Sequence, residues 1–135
     1  MSDAIHFAEE LVGNFRSKRE PYAAIALSDP GNLTCIANDF GYDQVFARQV
    51  GALGRSGDLL LAISASGNSA NIVAAAQLAR EKGIKVIGLT AGSGGDLNTS
   101  ADFMLKCPDN QYSDRIQELH ILLLHSWVEY IEKSL

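Results

Sequence analysis

The segment GDLLLAISASGNSANI, residues 57–72, passes from an unbroken apolar run through a cluster of hydroxyls and back to apolar residues. Residues 59–63 are too few for a helix and too uniformly apolar for a half-exposed strand, so they predict a strand buried in a parallel sheet. Ile72, Val73, Ala76 and Ala79 then recur at helical spacing, and Gly83 can take the left-handed conformation that ends a helix. The stretch therefore reads as strand, tight loop, helix. At such a helix start the first backbone N–H groups lack internal partners and carry the positive end of the dipole, which favours an anion. The hydroxyls of Ser64, Ser66 and Ser69 add donors around it. With no lysine or arginine in the loop, the pattern suits a phosphate held by neutral donors, such as a sugar phosphate that must leave again. An ordinary serine N-cap with small linker residues produces the same pattern.

Working outward, Ser2 or Asp3 can cap a helix that runs to Gly13, and AAIAL (residues 23–27) predicts a short strand. A polar loop with Pro30 and Gly31 is expected next. Phe46, Val50 and Leu53 mark an amphipathic helix ending at Gly54. KVIGLT (residues 85–90) predicts a third strand running into a flexible glycine-rich loop, AGSGGD, and FMLKCP (residues 103–108) a fourth. The last helix starts near Asp114 and is apolar almost all round from Leu119 to Val128, so its burial is expected to need another chain. Strands alternating with helices predict an α/β fold: a parallel sheet of four strands with helices on both faces. Ligands of such folds bind beyond the carboxyl ends of the strands, where the serine loop lies.

A chain of 135 residues, 47% hydrophobic and 20% charged, is expected to form one globular domain over residues 1–135. The net charge of −5 and a pI near 5.0 argue against nucleic acid as a partner. The basic patch of Arg16, Lys18 and Arg19 reads as a solvated turn before Pro21. The apolar run 121–124 is far short of a membrane span and no signal peptide opens the chain, so a cytoplasmic protein is expected, with no membrane partner. Cys35 and Cys107 lack metal-site spacing, which fits thiols in a reducing compartment.

Polar residues inside the apolar helices are the remaining signal. Gln117 and His125 lie on roughly one stripe of the last helix with two turns between them, and His120 is rotated away. In the first helix His6 and Glu10 are one turn apart and point the same way. If the two helices converge, these residues suit zinc, or a carboxylate and imidazole ready for proton transfer. A surface ion pair at His6 and Glu10 with a satisfied core histidine at His125 is the structural alternative.

Four stretches carry a family resemblance: DAIHFAEELVG (3–13), IANDFGYDQVFARQV (36–50), GDLLLAISASGNSANI (57–72) and SDRIQELHILLLH (113–125). In order and in register, they resemble the phosphoheptose isomerases, a branch of the sugar isomerase (SIS) domain family. The resemblance implies a three-layer, flavodoxin-like SIS fold and conversion of D-sedoheptulose 7-phosphate to D-glycero-D-manno-heptose 7-phosphate, a precursor of bacterial lipopolysaccharide. It implies a phosphate held by Ser64, Ser66 and Ser69, proton transfer by Glu10 and His125, and sugar contacts from Asn38, Asp39, Asp114 and Gln117. It further implies one zinc ion per subunit held by His6, Glu10, Gln117 and His125, and a homotetramer whose sites combine neighbouring subunits.

Three departures stand beside the resemblance. Relative to the family the chain is expected to lack an N-terminal helix, a first strand and a GNGGS-type loop, which would leave two unpaired edges in mid-sheet. Ala65 stands where the family usually has threonine, and Asn14 where arginine is frequent. Related SIS proteins also serve as sugar-phosphate-binding modules or as adaptors for a replication initiator, so a non-catalytic module or an inactive fragment is the alternative. Retention of His125 favours the enzyme, because the adaptor branch typically lacks it. A serine hydrolase does not fit, since SASGNS is not the G-x-S-x-G elbow.

Overall fold

In the computed structural model, which describes residues 1–134, the sheet is built around β2 (Lys85–Ala91). Val86, Leu89 and Thr90 of this strand are fully buried. Strands β1 (Leu59–Ile63) and β3 (Phe103–Cys107) flank it in parallel, with Leu61 opposite Ile87 and Leu89 opposite Leu105. The remaining elements are helices α1 (Ser2–Val12), α2 (Pro30–Phe40), α3 (Ala47–Leu53), α4 (Ala70–Glu81) and α5 (Ser113–Ser134), with short 3-10 turns at Tyr42–Gln44 and Asp96–Thr99. The fold is thus α/β with a parallel sheet, as the sequence predicts.

The pleat sorts the core into two layers. Val86 points to the α4 face, where Ala76, Ala79, Ile84 and Leu97 close around it. Ala91, of opposite parity, meets Ile116 of α5 together with Cys107. The small side chains of Ala75, Ala76 and Ala79 let α4 lie close to the sheet. Gly83 has φ of 74° just beyond α4, the left-handed residue expected there.

Two expectations are corrected. Among the described residues there are three strands, not four: residues 23–27 run without a backbone ladder. A strand needs a hydrogen-bonded neighbour, and an open apolar groove of about 900 Å³, lined by Phe7, Leu11, Ile25, Phe46, Leu61 and Ile72 among others, lies between this segment and β1. For the same reason β1 is an edge strand rather than a buried central one, and Leu59 is 59% exposed. The second correction is α2, which replaces the expected polar loop. Asp29 caps it by accepting from the Asn32 N–H at 2.7 Å, and Pro30 occupies the first turn, where no N–H is required.

Helix α5 buries one stripe, Ile116, His120, Leu124 and Val128. Leu122 and Tyr130 on its other side are exposed, so the chain alone covers only part of the apolar helix.

Leu89 lies at the centre of the sheet, so Leu89→Ala is expected to cost ~2–5 kcal/mol in urea denaturation. Ile25→Ala, at an exposed position in the unpaired segment, should stay within ~0.5 kcal/mol.

Candidate active site

The serine loop closes the carboxyl end of β1 through its own hydroxyls. Ser64 is buried, and its Oγ accepts from the Gly67 N–H and lies 3.1 Å from Ser69 Oγ. Ser66 is exposed, with its Oγ accepting from the Asn68 N–H at 3.2 Å. Ser69 occupies the N-cap position of α4 yet makes no side-chain capping hydrogen bond. Its hydroxyl turns back to Ser64, and the backbone N–H groups of Ala70 and Asn71 find no acceptor among the described residues. This differs from an ordinary serine cap, which would satisfy one of those donors itself. A polar cleft of about 320 Å³ opens beside Ser66, bordered by Asp109, Asn110 and Ser113. The larger apolar groove by β1 is lined by none of the serine-loop residues 64–69 nor by the three polar side chains described next.

The glycine-rich segment expected to be flexible is instead packed backbone to backbone on this loop. Gly67 has φ of 70°, and a Cβ there would collide with the Gly94 carbonyl. A Cβ on Gly95 would meet Asn68 and the Ser66 carbonyl. The contact is fastened by the Leu97 N–H donating to the Gly67 carbonyl and the Asp96 N–H to Asn68 Oδ1, both at 2.9 Å.

A second constellation forms where α1 crosses α5. His6 and Glu10, one turn apart, face His125: the Nε2 atoms of the two histidines are 3.0 Å apart, and Glu10 Oε1 is 3.4 Å from His6 Nε2. One ligand atom from each of the three lies within 4.8 Å of the others. Glu9 Oε1 sits 3.2 Å from His6 Nδ1, the second-sphere carboxylate that commonly fixes a ligating histidine. With Nδ1–H donated to Glu9, the Nε2 lone pair of His6 faces both a carboxylate and another imidazole. A shared cation, whether proton or metal, satisfies all three. Two imidazoles and a carboxylate with room for a further ligand form a donor set suited to zinc. His125 is half-buried here, not a satisfied core histidine.

Comparison with known proteins identifies the family. The SIS domain family matches residues 1–91. A phosphoheptose isomerase from Edwardsiella ictaluri (strain 93-146) is 55% identical over 133 residues, which cover 98% of this chain and 69% of that protein. The chain belongs to the phosphoheptose isomerase branch of the SIS domain family. Solved phosphoheptose isomerase structures superpose on it: the protein from Neisseria gonorrhoeae at 44% identity with a TM-score of 0.90, covering 98% of this chain and 70% of that one. For the protein from Francisella tularensis the identity is 39% and the TM-score 0.92, covering 98% and 71%.

In this SIS domain the other residues singled out from the sequence do not all join the two constellations. Asn38 and Asp39 are exposed near the end of α2 and bond locally, Asn38 Nδ2 to Asp39 Oδ1 at 2.8 Å. Asp114 is exposed beside Arg115 at the start of α5. Gln117 is exposed too, and eight residues of unbroken helix set it about 12 Å along the axis from His125. Asn14 lies in the exposed turn after α1, and Ala65 contributes a methyl group packed near Ile116.

His120, set aside in the sequence reading as rotated from the stripe, proves to be enclosed in the core beside the fully buried Thr90. It is 1% exposed, and its Nε2 lies 3.3 Å from the Thr90 carbonyl at the end of β2. Thr90 Oγ1 in turn donates to the Ala65 carbonyl of the serine loop. The signal available in the sequence was only a histidine on the apolar stripe Ile116, Leu124 and Val128.

Burial pulls the His120 imidazole below the ordinary histidine range, partly countered by its bond to Thr90 and by Asp3. Below about pH 6.5 the unfolded chain therefore binds a proton that the folded chain resists, and stability must fall with falling pH. Urea denaturation at pH 7.5 and 5.5 should show this loss, and His120→Gln should show a smaller difference between the two pH values. An equal difference in the variant would remove His120 as its source.

Proposed function

We propose that the protein is an aldose-ketose isomerase interconverting D-sedoheptulose 7-phosphate and D-glycero-D-manno-heptose 7-phosphate, through residues 1–135 as a single SIS domain. The observation that carries this reading is the meeting of Glu10, His6 and His125 from helices at opposite ends of the chain. Family membership and a serine loop that leaves the Ala70 and Asn71 N–H groups without an acceptor among the described residues support it.

The phosphate sits against Ser64, Ser66, Ser69 and the start of α4, where neutral donors and the helix dipole hold a dianion without an irreversible ion pair. Moving a proton between adjacent sugar carbons requires a base at carbon and an acid at oxygen. Glu10 takes the proton from one carbon, leaving an enediol, and returns it to the next. His125 exchanges the proton between the two oxygens. His6, Glu10 and His125 could alternatively hold zinc, which would polarise the carbonyl in place of proton transfer by His125. Phe15 covers one face of the His125 ring.

The placement of Gln117 supports an oligomer. Ile116 packs at the level of the serine loop, and nine residues of α5 place His125 about 13.5 Å farther along the helix. On this reading Gln117, with Asp114 beside it, reaches a zinc ion at His6, Glu10 and His125 from a neighbouring subunit. A homotetramer provides this, with Asn38 and Asp39 of exposed α2 brought to the sugar in the same way, and it would cover Leu122 and Tyr130. The enzyme is assigned to the cytoplasm and to lipopolysaccharide precursor synthesis. In support, Cys35 and Cys107 are free thiols, and no helix among the described residues is long and apolar enough to cross a membrane.

Ser66→Ala is expected to weaken sedoheptulose 7-phosphate binding in calorimetry by about 1.5 kcal/mol, the scale of one hydrogen bond to a charged group. Unchanged affinity would count against the phosphate assignment.

In an isomerase assay, His125→Asn and Glu10→Gln should each lower turnover by at least ~100-fold. The double variant should lose little more, because the two groups act as one unit. Near-normal turnover in His125→Asn with phosphosugar binding retained would favour a binding module.

A further inference from the structure

The turn that follows α1 is held by a buried ion pair that the reaction itself does not use. Glu132, two turns beyond His125 on α5, accepts from the Phe15 N–H at 3.0 Å and the Arg16 N–H at 3.2 Å. Its third partner is Arg19 Nε at 3.1 Å, and the two side chains are only 6% and 11% exposed. Burial would raise the Glu132 carboxyl, but the two backbone N–H groups and the guanidinium hold it below the ordinary carboxylate range. Arg19 also donates to the carbonyls of Glu10, Leu11 and Gly13 at the end of α1, and its guanidinium lies 4.2 Å from the ring centre of Tyr22. The basic patch is therefore not a freely solvated turn at Arg19. It is a clasp that ties the end of α1 to the end of α5.

The clasp has one consequence at the chemistry. Phe15, fixed by its backbone to Glu132, lays its ring over His125 with centroids 5.5 Å apart and planes 26° from parallel. His6 meets the same imidazole edge-on, with centroids 5.1 Å apart. We propose that Phe15 is a positioning residue for the isomerase, held over His125 by Glu132 and Arg19 so that the imidazole keeps one ring plane facing His6 and Glu10. The inference rests on the functional reading above for its effect on turnover. A half-buried histidine at a helix surface otherwise has more than one accessible ring orientation. The stack removes those that turn Nε2 away from Glu10, and the buried ion pair keeps the stack in place while ligands come and go.

The test uses the full chain with Phe15→Leu, which keeps an apolar side chain but no flat ring, and Phe15→Tyr, which keeps the ring. In Phe15→Leu, kcat for sedoheptulose 7-phosphate should fall roughly 10- to 100-fold, the scale of a misplaced catalytic group, with KM within about twofold. Phe15→Tyr should restore most of that loss. Glu132→Gln should move kcat in the same direction as Phe15→Leu. In parallel, nuclear Overhauser contacts between the His6 and His125 ring protons should weaken in Phe15→Leu and persist in Phe15→Tyr. A Phe15→Leu chain that keeps both kcat and the ring contacts overturns the inference, as does a Phe15→Tyr chain that loses as much kcat as Phe15→Leu. If Phe15→Leu fails to fold, Glu132→Gln with unmoved ring contacts overturns it. If the unmodified chain turns over no sedoheptulose 7-phosphate, the functional reading fails, and the ring contacts alone then decide the positioning role.

Discussion

The contact between His120 and the Thr90 carbonyl sets the longitudinal register of α5 against the sheet. A buried imidazole without a partner costs about 1–3 kcal/mol, and the Thr90 carbonyl supplies that partner. That requirement prevents α5 from sliding by a turn to another apolar match. Once the register is fixed, Ile116 falls beside Ala65 and Ala91 under the serine loop, and His125 falls opposite α1. Thr90 carries the constraint further, since its hydroxyl grips the Ala65 carbonyl. One bond pair thus relates the serine loop to the helix that bears the imidazole.

The two halves of the site are held by different physics. The serine loop is shaped by exclusion of side chains: Gly67, Gly94 and Gly95 let two loops touch through their backbones, and the backbone bonds of Leu97 and Asp96 lock them. The Ser64 and Ser69 hydroxyls bond each other and Ser66 Oγ accepts from the Asn68 N–H, while the Ala70 and Asn71 N–H groups find no acceptor among the described residues. The histidine half is shaped by charge. A carboxylate and two imidazoles converge with Glu9 behind, a set of donors that could take up a metal ion.

Much of this was legible along the chain because it depends on local chemistry. The strand at residues 59–63, the helix after the serines, its end before Gly83 and the pairing of His6 with Glu10 follow from period and capping alone. The helix at Pro30–Phe40 escaped because Asp29 and Pro30 mark a helix start as well as a turn, and its residues make a weak apolar stripe. The strand expected at residues 23–27 failed for a different reason. Its residues suit a strand, but a strand exists only through a neighbour, and the groove beside β1 leaves it without one.

By itself the sequence determined the alternation of strand and helix, the donor-rich loop at a strand end, and the family to which those motifs belong, since each rests on contacts within a few residues. Only the tertiary structure decided that α1 and α5 converge, so that His125 meets His6 and Glu10 while His120 turns to the Thr90 carbonyl. It alone decided that Arg19 and Glu132, 113 residues apart, clasp the two helices. Spacing along a helix gives the angle of each side chain, but which neighbour it meets depends on the register between helices. That register is set by long-range packing and by the need to pair every buried polar group.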